Sequence, residues 1–330
     1  MNKLLTIVVP VYNTEKYLRK CLDSLIVSDF LSQLEVLIVI DGSPDNSISI
    51  ANEYAEQYPH TFVVVDKENG GHGSAINKGL ELATGKYFRV LDSDDWFDSD
   101  NFEKYLNILS KEDSDIVMTQ IVRDYVEIGS SYEWREDGLT HEDYEKPLSF
   151  DVLYRVNFDF FAMARCSYKT EHLKCHNLKF LEKRSFEEAI LHVFSLLFAN
   201  KVTFYDMPIY HYFLSRPDQS VKQKLSLKNC NDWAAVINQM IEVYISKQSD
   251  LDEIKRQFFI KAIKSYVNNH YFRLNGLDYT VAKEEIRKFH EYVKDLSFYK
   301  ELIGTKMKCC TLVPYWLFRV SYNTYLKLHK

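Results

Sequence analysis

The sequence predicts an α/β fold: a mostly parallel sheet flanked by helices, followed by a helical C-terminal region. Three observations lead there. Short, continuously apolar runs alternate with segments whose apolar residues recur at helical spacing, the pattern of strands covered on both faces. Each early run ends on a polar or acidic residue, namely Asn13, Asp41, Asp66 and Asp92, and this marks one edge of the sheet. Beyond residue 220 glycine and proline become rare and helical periodicity dominates.

The elements follow in order. "LTIVVPVY" is β-rich and is followed by "TEKYLRKCLDSLIVSDF", where Tyr17, Leu18, Leu22, Leu25 and Ile26 share a helical face. "EVLIVID" is a fully apolar strand. "NSISIANEYAEQY" then places Ile48, Ala51, Tyr54, Ala55 and Tyr58 on one face of a second helix. "TFVVVDK", "GSAINKGLELAT" and "KYFRVLD" give a third strand, a third helix and a fourth strand, and "NFEKYLNILSKE" and "DIVMTQIVRDY" continue the alternation. Between 126 and 148 the periodicity fades into polar, turn-rich sequence, and 150–215 is mixed and rich in aromatics. The expected organisation is a domain over 1–220, with halves 1–125 and 126–220, and a helical region over 221–330.

Bulk properties narrow the function. A 330-residue chain with 46% hydrophobic residues has ordinary globular composition, enough for one large domain with an appendage or for two domains. A net charge of −6 argues against a nucleic-acid partner, because there is no basic excess to neutralise phosphates. Six cysteines without a CxxC pair or regular spacing read as reduced structural thiols. The run "MNKLLTIVVPVYN" is too short for a signal peptide and carries Pro10, so it reads as a buried first strand. No stretch reaches the roughly 20 apolar residues of a membrane helix. A cytoplasmic protein is expected, with a place at the inner face of the cell membrane only if something anchors it.

The chemistry concentrates in "YFRVLDSDDW", where three carboxylates fall within four residues directly after a strand. Such a cluster calls for a cation. Singly, an acid at a strand end is most often a helix cap; four polar or acidic ends in order on one sheet edge mark the place where open α/β sheets bind ligands. "VVPVYNTEKYLRKCLDSL", "VLIVIDGSPDNS" and "ENGGHGSAINKGLELATGKYFRVLDSDDW" together resemble the family 2 glycosyltransferases, in detail over about residues 4–120 and more loosely to about 220. The resemblance implies a GT-A, Rossmann-like fold, with 1–125 as the nucleotide-sugar half and 126–220 as the acceptor half. It implies an inverting, metal-dependent transfer of glucose, galactose or an N-acetylhexosamine from a UDP-sugar to a growing glycan, lipid-linked or protein-linked, of the bacterial cell surface.

Residue by residue, the resemblance gives Pro10, Val11, Tyr12 and Glu15 the base- and ribose-facing edge. Glu15 equally suits the first turn of a helix. Asp41 would accept the uracil N3–H, and Asp66 would line the same pocket. Gly71 belongs to a loop that lets backbone approach the ligand. Ile76 stands where relatives often carry Arg, and Lys78 is the nearby substitute. Asp94 is the expected direct ligand of Mn²⁺ or Mg²⁺, and Asp92 touches ribose or the metal. Ser93 belongs to the same turn, Asp95 either stabilises the turn or touches the sugar, and His211 is a candidate for the metal shell. Glu187 and Glu188 open an amphipathic helix, with Glu188 as the general base. The alternative for both is simple helix-dipole compensation. Arg216 and Ser220 would close on the diphosphate.

The terminal segment 305–330 is basic and aromatic. It suits a peripheral membrane surface or a last packed helix, and the C-terminal region is also a candidate dimer contact. Two other functions compete. A nucleotide-binding but inactive partner subunit would explain Glu-Glu in place of the family's usual Glu-Asp. A sugar-nucleotide nucleotidylyltransferase would need a glycine-rich loop after the first strand, where this chain reads "PVYNTEKY".

Overall fold

The computed structural model describes residues 3–125, 129–134, 139–156, 162–186, 188–214 and 225–312. The chain divides into two compact units, 1–222 and 223–330.

The first unit is built on one nine-stranded sheet. Its first half runs β1 (Leu5–Val11), α1 (Glu15–Asp23), β2 (Leu34–Asp41), α2 (Ser47–Gln57), β3 (Phe62–Lys67), α3 (His72–Leu82) and β4 (Tyr87–Val90). The second half runs β5 (Trp96–Phe97), α4 (Ser99–Lys111), β6 (Ile116–Tyr125), β7 (Ser130–Trp134), α5 (Phe150–Arg155), β8 (Cys166–Lys169), α6 (Thr170–Cys175), α7 (Glu188–Phe198) and β9 (Val202–Leu214).

Strand order is β3-β2-β1-β4-β8-β6-β9-β5, with β7 paired to β6. The expected parallel sheet occupies β3-β2-β1-β4. Beyond β4 the pairing is mixed: β8 runs antiparallel to both β4 and β6, and only β6–β9 returns to parallel. The difference follows from connections. A helical crossover joins each consecutive pair among β1 to β4, whereas β7 follows β6 after only four residues and pairs with it antiparallel.

β1 is buried along its whole length. Alternation sends Leu5, Ile7, Val9 and Val11 into the core that holds Leu18, Cys21 and Leu22 of α1 and Ile50, Ala51 and Tyr54 of α2. Val8 points the other way, against α3. There Gly79 admits it so closely that an added Cβ would lie 2.4 Å from Val8 Cγ2. Pro10 is tolerated in a central strand because β4 has already ended opposite Val8, so no ladder donor is missing on that side. β3, although apolar, is an edge strand with Val63 exposed.

The second unit comprises α8 (Leu227–Lys247), α9 (Glu253–Leu274), α10 (Tyr279–Lys294), the short α11 (Tyr299–Leu302) and α12 (Thr305–Leu312). Side-chain oxygens of Ser226 and Asp252 accept backbone N–H groups at the starts of α8 and α9. α9 buries Phe258, Phe259, Ile263, Val267, His270 and Tyr271, which lie around most of its circumference, as expected of a helix packed on several sides. Its neighbours account for that: Trp233 of α8 stacks on Tyr266, Phe289 of α10 packs on Tyr271, and Asn275 reaches Cys310 of α12. Among the described residues no helix is long and apolar enough to cross a membrane. Residues 313–330, most of the segment weighed for membrane contact, lie outside the description.

Candidate functional site

The parallel strands deliver their C-terminal ends to one edge. Val11 pairs with Ile40, Ile40 with Asp66, and β4 runs out at Val90, beside Val8. Pro10 and Val11 are therefore buried strand residues, and Tyr12, immediately after them, is 54% exposed. Asn13 adopts φ 56°, a left-handed conformation that Asn tolerates, and its N–H donates to Ser43 Oγ at 2.8 Å.

Glu15 and Asp45 cross-brace the first two strand-end loops. The Asp45 carboxylate accepts the Glu15 N–H at 2.8 Å, and the Glu15 carboxylate accepts the Asn46 N–H at 2.9 Å. Burial works against the Asp45 charge, but hydrogen bonds from Ser43, Glu15 and Ser47 hold its carboxyl below the usual range. Sequence reasoning missed Asp45, although the "SPDNS" turn chemistry contains it.

Asp41 is 3% exposed and committed to protein groups. One oxygen accepts from Lys67 Nζ at 2.6 Å and from the Gly70 N–H at 2.9 Å; the other accepts from the Gly71 N–H at 2.8 Å. The carboxylate expected to face uracil thus gathers the glycine-rich loop. Asp66 is exposed near the end of the edge strand. Gly71 has φ 85°, and a Cβ there would lie 3.1 Å from the Lys183 backbone nitrogen, so both conformation and space require glycine. Lys183 N–H donates to Gly70 O at 2.7 Å, and Asn77 exchanges hydrogen bonds with the Phe180 backbone. Lys78, in the second turn of α3, turns to Glu81 at 2.8 Å, and Ile76 is fully buried.

His72 opens α3, and its Nε2 lies 3.0 Å from Asp92 Oδ1. The acidic turn is organised from below. Asp95, 1% exposed, accepts from Tyr210 Oη at 2.6 Å and from the Phe213 N–H at 2.8 Å. Burial, reinforced by Asp94 and Asp92, pushes its carboxyl well above the normal range, so Asp95 supports the turn from inside. Ser93, also buried, accepts from the Thr14 hydroxyl at 2.9 Å. Asp92 and Asp94 stay partly exposed.

β9 supplies the floor of this turn because it is bulged. Its register against β6 shifts between Met118 and Ile121, which re-aims Tyr210, His211 and Tyr212. His211 pairs across to Trp96, stacks on its indole at 5.2 Å, and directs Nδ1 to Asp124 Oδ2 at 2.7 Å. The ammonium of Lys20 covers the Trp96 ring. His211 is thus held by Asp124 rather than joined to Asp92 and Asp94 in a three-ligand set, and among the described residues no three His, Cys, Asp or Glu side chains converge in that way. Two half-exposed carboxylates do fit a hard cation that keeps most of its coordination sphere for phosphate oxygens and water.

Glu188 is the first residue of α7, preceded by Phe186 at φ 70°, a strained conformation for an aromatic residue. The Tyr212 phenol registers its neighbourhood. Burial raises its pKa, and the charges of Asp92, Asp95, Asp94 and Glu188 raise it further. His192, one turn along α7, accepts the Met163 N–H at 2.8 Å, and burial pulls its imidazole down to about 4. Glu187, Arg216 and Ser220 lie outside the described residues.

Comparison with known proteins gives this geometry a family. The putative glycosyltransferase EpsH of Bacillus subtilis is 32% identical over 225 residues, covering 67% of this chain and 64% of that protein. Glycosyltransferase GlyG of Streptococcus pneumoniae is 29% identical over 286 residues, 81% of this chain and 88% of that one. Glycosyltransferase GlyA of the same organism is matched over only 25% of its length, at 32% identity across 56% of this chain. The crystal structure of residues 1–349 of S. aureus TarS in complex with UDP superposes with a TM-score of 0.67 at 19% identity, covering 97% of this chain and 88% of that one, which bears out the expected GT-A fold. The family model for glycosyl transferase family 2 matches residues 6–189, more than half of the chain and the whole run from β1 to the head of α7. On that match, the protein belongs to glycosyl transferase family 2.

Proposed function

We propose that the protein is a metal-dependent, inverting glycosyltransferase that moves a hexosyl or N-acetylhexosaminyl group from a UDP-sugar to a growing cell-surface or protein-linked glycan. One observation carries the reading. The strand-end carboxylates Asp92 and Asp94 stay partly exposed on a turn at the C-terminal edge of the parallel sheet, propped from inside by the buried Asp95. TarS, which has the same fold, is solved with UDP and with UDP-GlcNAc, and EpsH and GlyG carry glycosyltransferase names, all of which supports a UDP-sugar donor.

In this reading Tyr12 faces the base, the loop held by Asp41 brings backbone to the diphosphate, and Asp94, with Asp92, holds Mn²⁺ or Mg²⁺. The ion, when bound, offsets charge developing on the departing diphosphate. Glu188 takes the proton from the acceptor hydroxyl as its oxygen attacks C1 from the face opposite UDP. The C1–O bond to phosphate breaks, the electron pair leaves with UDP, and configuration at C1 inverts.

The test is turnover of a panel of UDP- and GDP-sugars with Mn²⁺ or EDTA, read as released nucleoside diphosphate, together with the melting temperature in UDP and Mn²⁺. EDTA-sensitive release from one UDP-sugar, lost in Asp94→Ala, supports the reading. In Glu188→Gln, transfer should fall at least about 100-fold while UDP binding holds. Transfer at the wild-type rate in Glu188→Gln would remove the base assignment. No UDP–Mn²⁺ stabilisation would remove the donor site.

A further inference from the structure

We propose that His72 is a positioning residue of the donor site, fixing the Asp92 carboxylate in the orientation that receives the nucleotide diphosphate and its cation; this rests on the donor reading above. His72 Nε2 stands 3.0 Å from Asp92 Oδ1, with both side chains 35% exposed. Against a carboxylate acceptor, Nε2 is the donor of this pair.

The backbone behind His72 is held on three sides. Asp41 accepts the N–H groups of the two preceding residues, Gly70 and Gly71. Lys183 donates to Gly70 O, and Gly71 O accepts the Ser74 and Ala75 N–H groups that begin α3. Gly71 takes its left-handed conformation, and a Cβ there would press on the Lys183 backbone at 3.1 Å. A buried aspartate, a restricted glycine and a helix start thus set the point from which the imidazole reaches out.

Its target is fixed less firmly. On the other side, among the described residues, the Asp92 carboxylate receives a long contact from Tyr210 Oη at 3.5 Å, while the same hydroxyl is 2.6 Å from Asp95. The contact from His72 therefore sets the Asp92 rotamer. Groups that orient a ligating or substrate-binding carboxylate typically change affinity about 10- to 100-fold when removed.

The experiment is calorimetric titration of UDP with Mn²⁺ into the full chain, as wild type, His72→Ala, His72→Gln, Asp92→Ala and the His72→Ala/Asp92→Ala double variant, each checked by its melting temperature. His72→Ala should weaken binding by about 10- to 100-fold. His72→Gln, whose amide also donates, should recover most of that and keeps the test alive if the alanine variant folds poorly. With Asp92 already removed, losing His72 should cost less than about threefold, because the two act as one unit. Independent, multiplying losses, or an unchanged affinity in His72→Ala, would overturn the proposal while leaving the donor reading intact. A wild-type protein that fails to bind UDP would overturn the donor reading itself.

Discussion

Replacing Asp41 with asparagine separates two roles for one carboxylate. In the structure it accepts from Lys67 Nζ, Gly70 N–H and Gly71 N–H and is 3% exposed. An asparagine of the same shape keeps one oxygen. Placed toward Lys67 and Gly70, that oxygen leaves the amide NH₂ facing the Gly71 N–H, donor against donor. One charge-assisted bond disappears and one amide is stranded, a cost of about 2–4 kcal/mol. In a unit of this size each kcal/mol moves the melting temperature by roughly 2–4 °C, so a fall of about 5–15 °C is expected. Amide hydrogen exchange should quicken at Gly70 and Gly71 before it does so in β1 or β2. If the carboxylate instead reads uracil N3–H, stability would stay within about 0.5 kcal/mol. The variant would then shift preference from UDP toward CDP, because N3 is a donor in uracil and an acceptor in cytosine. That pair of results would refute the loop-gathering role.

Two further outcomes follow from packing and burial. Gly79→Ala should destabilise the first unit by about 1–3 kcal/mol despite its better helix propensity, because its Cβ would meet both Val8 methyl groups; Val8→Ala in the same chain should restore most of the loss in denaturant melts. His192 binds its proton less readily folded than unfolded, so as pH falls from about 6.5 to about 4 the unfolded chain gains protons first and up to about 3 kcal/mol of stability is lost. His192→Gln, whose carbonyl can accept the Met163 N–H, should flatten that slope in urea melts taken across the window.

Local pattern carried the fold as far as β4. β1 is buried at every position and apolar at all but Thr6 because helices cover both faces, and α3 announces itself through Gly71 and the spacing of Ala75, Ile76 and Leu80. Pattern faded where long-range pairing took over. β9 reads as polar-aromatic sequence, and only the β6 register explains why Tyr210 and Phe213 meet Asp95. The same limit governs the site. The acidic turn and Glu188 could be picked out by motif and resemblance, whereas the commitments of Asp41 to Gly70 and Gly71, and of His211 to Asp124, are partnerships between segments that no local window contains. His72 lies in the glycine-rich loop 20 residues before Asp92, and no local pattern pairs the two.

The stitch between Gly70 and Lys183 has a mechanical consequence. Lys183 is anchored to the donor loop, and Glu188 follows only five residues later, a tether that spans at most about 18 Å when fully extended. Under the proposed function, the loop beside the leaving group and the proton acceptor would be hitched to a single short leash. Lengthening it by a residue or two would leave both halves able to fold, yet let the head of α7 drift out of step with the loop. On that reading the leash would act as a ruler between the two chemistries, its length mattering more than its composition.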